Sequence, residues 1–333
     1  MAGNTKRAKK KSALNMPMLI LSAIFLLVFV AGIGVTIRNI VVFSKVPAEV
    51  VEPVESDKTL KQGVNGQSVI GTVVVRDGGT QYLQDMKEWF KPLYAANNDT
   101  IGWIKIPGTS IDTVVVQNDD DNGKTGEYRY LKNDFYGEFT KYGNVFLDFR
   151  CNKYTPSTNT ILYGHTTEDG QQVFLDIEKY EDPEFFKKYP IIEYSTLYNN
   201  YKWKVFGIFA TTTNASDDNG YVFDYIYPNM SEADMVGYLE QVDERVMYHT
   251  GVDVAPTDKI LTLSTCSYNY HVNGKRITAR LVLVARMLRD GESEEINPSL
   301  VTDNPDYRRP QAWYDAVGQS NPYINSVQWK PQG

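Results

Sequence analysis

The sequence predicts a mostly β domain, an all-β barrel or sandwich, carried on an N-terminal membrane helix. Three observations predict it. Eight short β-like runs lie between turn signals from residue 102 to residue 287. Only two stretches among them read as helices. One long uncharged apolar run stands near the start of the chain.

The first fifteen residues hold Lys6, Arg7, Lys9, Lys10 and Lys11 and no acidic residue. Residues 16–37 read MPMLILSAIFLLVFVAGIGVTI, without a charge. A helix needs about 20 apolar residues to cross the hydrocarbon core, so residues 16–38 are expected to span a membrane. A cleaved signal peptide is the competing reading, but its apolar region runs to about 7–15 residues and ends in a small-residue cleavage site. No clear site of that kind follows here. The basic cluster outweighs Arg38 and Lys45. It therefore keeps residues 1–15 in the cytoplasm and sends the remaining chain outside. Residues 39–80 are polar and Pro-containing and read as an extracellular stalk, with 69–75 either a short strand or part of the linker.

From residue 81 the pattern changes. Leu83, Met86, Phe90 and Leu93 suit an amphipathic helix over 81–96. The β-like runs follow at 102–106, 113–117, 144–148, 160–163, 191–194, 203–211, 260–265 and 277–287. A short helix is expected at 183–188. A stronger one begins after Ser231, a good N-cap, with Glu232 and Asp234 in the first turn and Met235, Leu239, Val242 and Val246 in one stripe. After Asp290 the chain is polar and rich in Pro and Asn. Residues 291–333 read as a loosely ordered tail.

Composition narrows the function. The 333 residues are 42% hydrophobic and 13% aromatic, which suits a packed core. Net charge is -7; since the first fifteen residues carry +5, the rest carries -12. So acidic a body excludes nucleic acid as partner. Two cysteines, Cys151 and Cys266, make no disulfide framework, and with His165, His249 and His271 they form no zinc spacing. The run Asp119–Asp121 reads as a solvated loop. No metal and no cofactor are expected, and both thiols are expected to be free in the active form.

Cys266 ends an apolar strand and opens a polar loop, 267–275. Strand ends are where a scaffold presents a side chain to a cleft. Arg276 opens the next strand. Antiparallel pairing of the two strands would bring it beside Cys266, where a guanidinium can hold a carbonyl oxygen and the oxyanion formed on attack. Arg280 shares its face by period two and is the alternative. His165 follows the strand 160–163 after the turn residue Gly164, and a histidine near a cysteine can activate the thiolate or protonate a leaving amine. His271 competes for that role. His249 sits near the end of the stronger helix.

YGH at 163–165, TLSTC at 262–266 and KRI at 275–277 together resemble the sortase family of cysteine transpeptidases. IGWIKIPGT at 101–109, YGNVFLDFR at 142–150 and TILYGH at 160–165 are similar to its class B members. The resemblance covers about residues 81–288, within a catalytic domain expected at 81–290. It implies a closed β-barrel with an N-terminal helix and a second helix inserted before the catalytic strand. It further implies that Cys266 attacks a C-terminal sorting motif of secreted proteins, that Arg276 braces the oxyanion, and that His165 protonates the departing amine. Ser264, Thr265, Tyr225 and Ile226 are the implied substrate contacts. The implied acceptor is a peptidoglycan precursor or cross-bridge amine at the cytoplasmic membrane of a Gram-positive cell; wall anchoring and pilus polymerisation both stay open. Tyr268 stands where some class B enzymes carry an acid, and the tail is longer than is usual in the family. A non-enzymatic surface adhesin is the reading from another class.

Overall fold

The computed structural model describes residues 73–77, 80–118, 128–166, 173–267, 271–272, 275–276 and 279–332. The expected membrane span at 16–38, the basic segment before it, most of the stalk and Asp119–Asp121 lie outside the described residues.

The chain enters through a two-stranded ladder, β1 (Val73–Asp77) against β2 (Thr80–Leu83). A single 3-10 turn, Glu88–Phe90, then leads into α1 (Lys91–Ala96). The helix expected over 81–96 is thus confined to its last six residues. Its first part pairs with β1 instead, and Pro92 in the first helical turn fixes where the helix begins. The apolar positions that suggested it, Leu83, Met86, Phe90 and Leu93, are all buried.

All eight expected β runs become strands of one closed barrel. In chain order they are β3 (Thr100–Lys105), β4 (Asp112–Val116), β5 (Val145–Leu147), β6 (Asn159–Tyr163), β7 (Ile191–Thr196), β8 (Asn200–Thr212), β10 (Ile260–Ser267) and β13 (Ala279–Met287). Around the barrel the order is β10-β13-β8-β7-β3-β4-β5-β6, returning to β10. The β4–β5 and β6–β10 pairs are parallel and the others antiparallel. Full closure leaves no open sheet edge.

Outside the barrel are α2 (Pro183–Lys188), α3 (Glu232–Asp243), β9 (Tyr248–His249), β11 (His271–Val272), β12 (Lys275–Arg276), β14 (Thr302–Asp303) and α4 (Gln311–Val317). Both helices anticipated within the domain form where expected. Asp182 caps α2 by accepting from the Glu184 N–H, and Ser231 with Asp234 makes a reciprocal capping box on α3.

Strand alternation divides the side chains between two cores. Leu261, Leu263, Leu281 and Leu283 enter the barrel interior with Ile104, Val205 and Trp203. Ile260, Val282 and Val284 face outward and are covered by Met235, Tyr238 and Val242 of α3 and by Phe223 and Tyr225. Burial on both faces explains the nearly continuous apolar runs of β10 and β13. Each buried aliphatic side chain contributes about 1.5–3 kcal/mol. After Ile260 the outer face of β10 turns polar, at Thr262, Ser264 and Cys266.

The expectation of a loose tail is corrected. Residues 291–332 fold back on the domain. β14 pairs with β9, and Arg308, Tyr314 and Trp329 are all buried. Near its start, Glu292 accepts from the buried Arg286 at 2.6 and 2.7 Å and from Lys204 at 2.8 Å. Several of the tail's aromatics and charges, Glu292, Arg308 and Trp329 among them, meet a partner of fitting shape or charge, which a reading by composition alone misses.

Candidate active site

Three adjacent strands bring the chemistry together. On β10 and β13 the ladder pairs Cys266 directly with Arg280. Directly opposed residues share a face, with Cβ atoms about 4.5–5.5 Å apart. On the other flank of β10, the parallel ladder with β6 runs to Ser264 against Tyr163. One step further the Gly164 N–H donates to the Ser264 carbonyl at 3.3 Å. His165 follows immediately; continuing the register past the end of β6 sets it level with Cys266.

Two further contacts fix that level. The hydroxyls of Thr166 and Thr265, the residues next to His165 and Cys266, share a buried hydrogen bond of 2.6 Å. The carbonyl of His165 accepts from the N–H of Phe174 at 3.1 Å. Phe174 also explains Gly164, because a Cβ there would run into its ring. Cys266, His165 and Arg280 are each half-buried, held by the scaffold yet open to a ligand.

The expectation that antiparallel pairing sets Arg276 beside Cys266 is corrected by the register. The β10–β13 ladder ends at Ser267 opposite Ala279. A separate small ladder then takes over, in which Arg276 opposes His271. Arg280, the alternative, occupies the place opposite Cys266. The same small ladder holds His271 five residues beyond the cysteine. His249 lies on β9, with Nδ1 3.4 Å from the Asp243 carboxylate.

Cys151 is a different kind of thiol. It is buried, donates weakly to the Asn159 carbonyl at 3.4 Å, and burial pushes its pKa up to about 12. A thiol so held is inert at neutral pH. No disulfide joins it to Cys266.

Beside the three residues runs a wall formed by residues 221–227. The Tyr225 hydroxyl and Ser264 Oγ share a hydrogen bond of 2.9 Å. Burial raises the Tyr225 pKa; Ser264 and the Arg280 guanidinium oppose that rise, and Cys266 adds to it, so this hydroxyl senses both reactive residues. Asn159 Nδ2 donates to the carbonyls of Tyr225 and Tyr227 at 3.1 and 3.2 Å. Arg150 Nη2 donates to the Ile226 carbonyl at 2.7 Å. Arg150 is itself gripped by the wholly buried Asp148 through two bonds of 2.9 Å, and Asp148 also accepts from the Tyr163 hydroxyl at 2.8 Å. Of the four expected substrate contacts, Ser264, Thr265 and Tyr225 are buried with their side chains paired to protein, while Ile226 is half-buried. Asn159, Asp148, Arg150 and Thr166 were not singled out as site residues. Asp148 and Arg150 stand in the YGNVFLDFR stretch, and a charged pair inside so apolar a run is a signal of buried function.

Among the described residues, no group of three or more His, Cys, Asp and Glu could hold a metal ion.

A nucleophilic thiol, a histidine and a guanidinium converging on one outer face of a closed barrel define a cysteine acyl-transfer enzyme. The sortase domain model matches residues 104–288, and the chain belongs to the sortase family of cysteine transpeptidases. Within it the chain is of the class B type. It is 33% identical over 211 residues to sortase B of Staphylococcus aureus, covering 63% of this chain and 79% of that protein. It is 32% identical over 196 residues to sortase B of Listeria monocytogenes, covering 58% and 74%. Among solved structures, a Staphylococcus aureus sortase B–substrate complex superposes with TM-score 0.51 at 33% identity, covering 62% of this chain and 87% of that one. A sortase B complexed with Gly3 superposes with TM-score 0.51 at 32% identity, covering 62% and 88%.

Proposed function

We propose that this enzyme cuts a sorting motif near the C-terminus of secreted proteins through a thioester on Cys266, then passes the acyl group to a cell-wall amine. The observation that carries the reading is the pairing of Cys266 with Arg280 across β10 and β13, with His165 two residues past the end of the neighbouring β6. The substrate and Gly3 complexes of related sortases support the same kinds of partner, a peptide and a short amine.

The steps follow from the groups present. The Cys266 thiolate attacks the scissile carbonyl carbon, forming the S–C bond as the carbonyl electron pair moves onto oxygen. Arg280 donates to that oxygen, where preorganised charge acts most strongly. Collapse breaks the C–N bond, and His165 gives its proton to the departing amine. The acceptor amine then attacks the thioester, returns a proton to His165 and expels the Cys266 thiolate. Water in place of the amine gives hydrolysis. Ser264, Thr265 and Tyr225 shape the groove floor from beneath, and Ile226 meets the peptide.

We place the catalytic domain outside the cell, on a single span at 16–38 with residues 1–15 in the cytoplasm. The charge asymmetry about the apolar run supports this. Externally added protease that digests the domain in intact cells agrees with this topology; complete protection contradicts it.

The decisive experiment incubates the enzyme with a library of sorting-type peptides and examines Cys266 by mass spectrometry. A thioester there that becomes an amide on adding an amine is expected. Acylation of Cys151, or turnover undiminished in Cys266→Ala, would refute the assignment.

A further inference from the structure

The C-terminal segment reaches the back of the groove wall at several points. Arg308 pairs with Glu244 at 2.9 Å and Asp218 at 3.4 Å, and its guanidinium lies 5.4 Å from the centre of the Tyr221 ring. At the start of α4 the Gln311 N–H donates to the Asp218 carboxylate at 3.0 Å, and α4 lies against β11, in the loop that follows Cys266. Then Trp329 inserts between α3 and the wall. Its ring packs edge-on to Phe223 at 5.9 Å and Tyr238 at 5.8 Å. Its carbonyl accepts from the Tyr221 hydroxyl at 3.1 Å. On either side of it, the Val327 carbonyl accepts from Gln241 at 3.0 Å and the Gln332 N–H donates to Asp234 at 2.8 Å.

Gly237 is the matching notch. A glycine inside a helix costs about 1 kcal/mol against alanine. Here a Cβ would strike the Trp329 indole. The contact continues forward: Phe223 lies 6.2 Å from Tyr225, whose hydroxyl shares its bond with Ser264, two residues before Cys266.

We propose that the C-terminal segment braces the peptide groove, with Trp329 as a positioning residue that fixes the 221–227 wall. The proposal rests on the reading of Cys266 as nucleophile and of this wall as peptide-binding. The barrel closes through its own ladder, so His165, Cys266 and Arg280 keep their places without the brace. What the brace supplies is a wall already ordered before the peptide arrives, which lowers the cost of binding. Its loss therefore acts on KM and spares kcat.

The test uses the full chain and three variants: Trp329→Ala, Trp329→Phe and Gly237→Ala. Hydrogen exchange of the 219–227 amides, the rate of iodoacetamide reaction at Cys266, and kcat and KM with a fluorogenic sorting-type peptide are measured on each. In Trp329→Ala, exchange in the wall rises roughly tenfold, as expected for a local opening, while the barrel strands are unchanged. KM rises roughly tenfold, with kcat and alkylation within about twofold of wild type. Trp329→Phe restores most of the loss. Gly237→Ala reproduces it, although alanine is the better helix former, and decides the matter should Trp329→Ala fail to fold. Unchanged wall exchange in the folded variants, or a uniform loss of protection with kcat and KM changing together, overturns the brace. A wild-type enzyme that turns over no peptide counts against the reading of Cys266 instead, and the exchange measurement still decides the brace.

Discussion

Replacing Arg280 separates the two arginines that the sequence offers for one task. Arg280 stands opposite Cys266 in the ladder, whereas Arg276 opposes His271 four residues earlier. The two stand in separate ladders with different partners, so they are not interchangeable. Arg280→Met removes the donor to the developing oxyanion while keeping a stem of similar bulk. Loss of one such donor costs about 10²–10³ in kcat, or roughly 2.7–4 kcal/mol. Arg276→Met changes kcat/KM by less than about threefold, as a residue outside the reacting shell does. The assay follows cleavage of a fluorogenic sorting-type peptide with and without an amine acceptor. Iodoacetamide labelling of Cys266 in parallel confirms that the nucleophile is intact. An Arg280→Met enzyme with near-normal turnover, or an Arg276→Met enzyme without any, would refute reasoning from the register.

Three other outcomes are expected. In native protein near neutral pH, a thiol reagent labels Cys266 and leaves Cys151, whose pKa stands at about 12, and Cys151→Ser keeps its activity; rapid native labelling of Cys151 would contradict its burial. Asp148→Asn strips the buried partner from Arg150, which is still 34% exposed, so a loss of about 2–4 kcal/mol is expected, at the low end of the cost of breaking a buried pair; chemical denaturation measures it, and a loss under about 0.5 kcal/mol would refute it. The bonds from Arg286, followed by that from Lys204, hold the Glu292 carboxylate well below its ordinary value of 4.5. A depressed carboxylate stabilises the fold above the unfolded pKa, and that contribution fades as pH falls toward the folded one. The melting temperature of Glu292→Gln should accordingly lie below wild type at pH 7, and the gap should narrow progressively as pH falls below about 4.5 without closing by about pH 3; a gap independent of pH would refute the linkage.

The barrel was legible because its strands carry β-branched and aromatic residues between clear turn signals, and all eight runs were placed. His165 and Cys266 were legible as strand ends. The ladder partner of Cys266 was not, because a run of residues suited to a strand does not reveal where its ladder begins. Residues 277–287 look like one strand from sequence, yet pairing with β10 starts at Ala279, and β11 and β12 form a ladder of their own. The helix at 81–96 was overstated since pairing with β1 outweighs helical period in its first residues. The tail defeated prediction for a different reason. Trp329 is buried only because Gly237 leaves room for it, and nothing local to either residue announces the other.

The parallel seam between β6 and β10 has a consequence for how the enzyme comes into being. Thr166 and Thr265, whose hydroxyls join across that seam, are 99 positions apart. Contacts so distant along the chain form late, after the entropy of closing a long loop has been overcome. His165 reaches Cys266 only through this seam, so a half-folded chain holds a thiol apart from that histidine. Acyl-transfer activity during refolding should therefore appear with barrel closure and not before it.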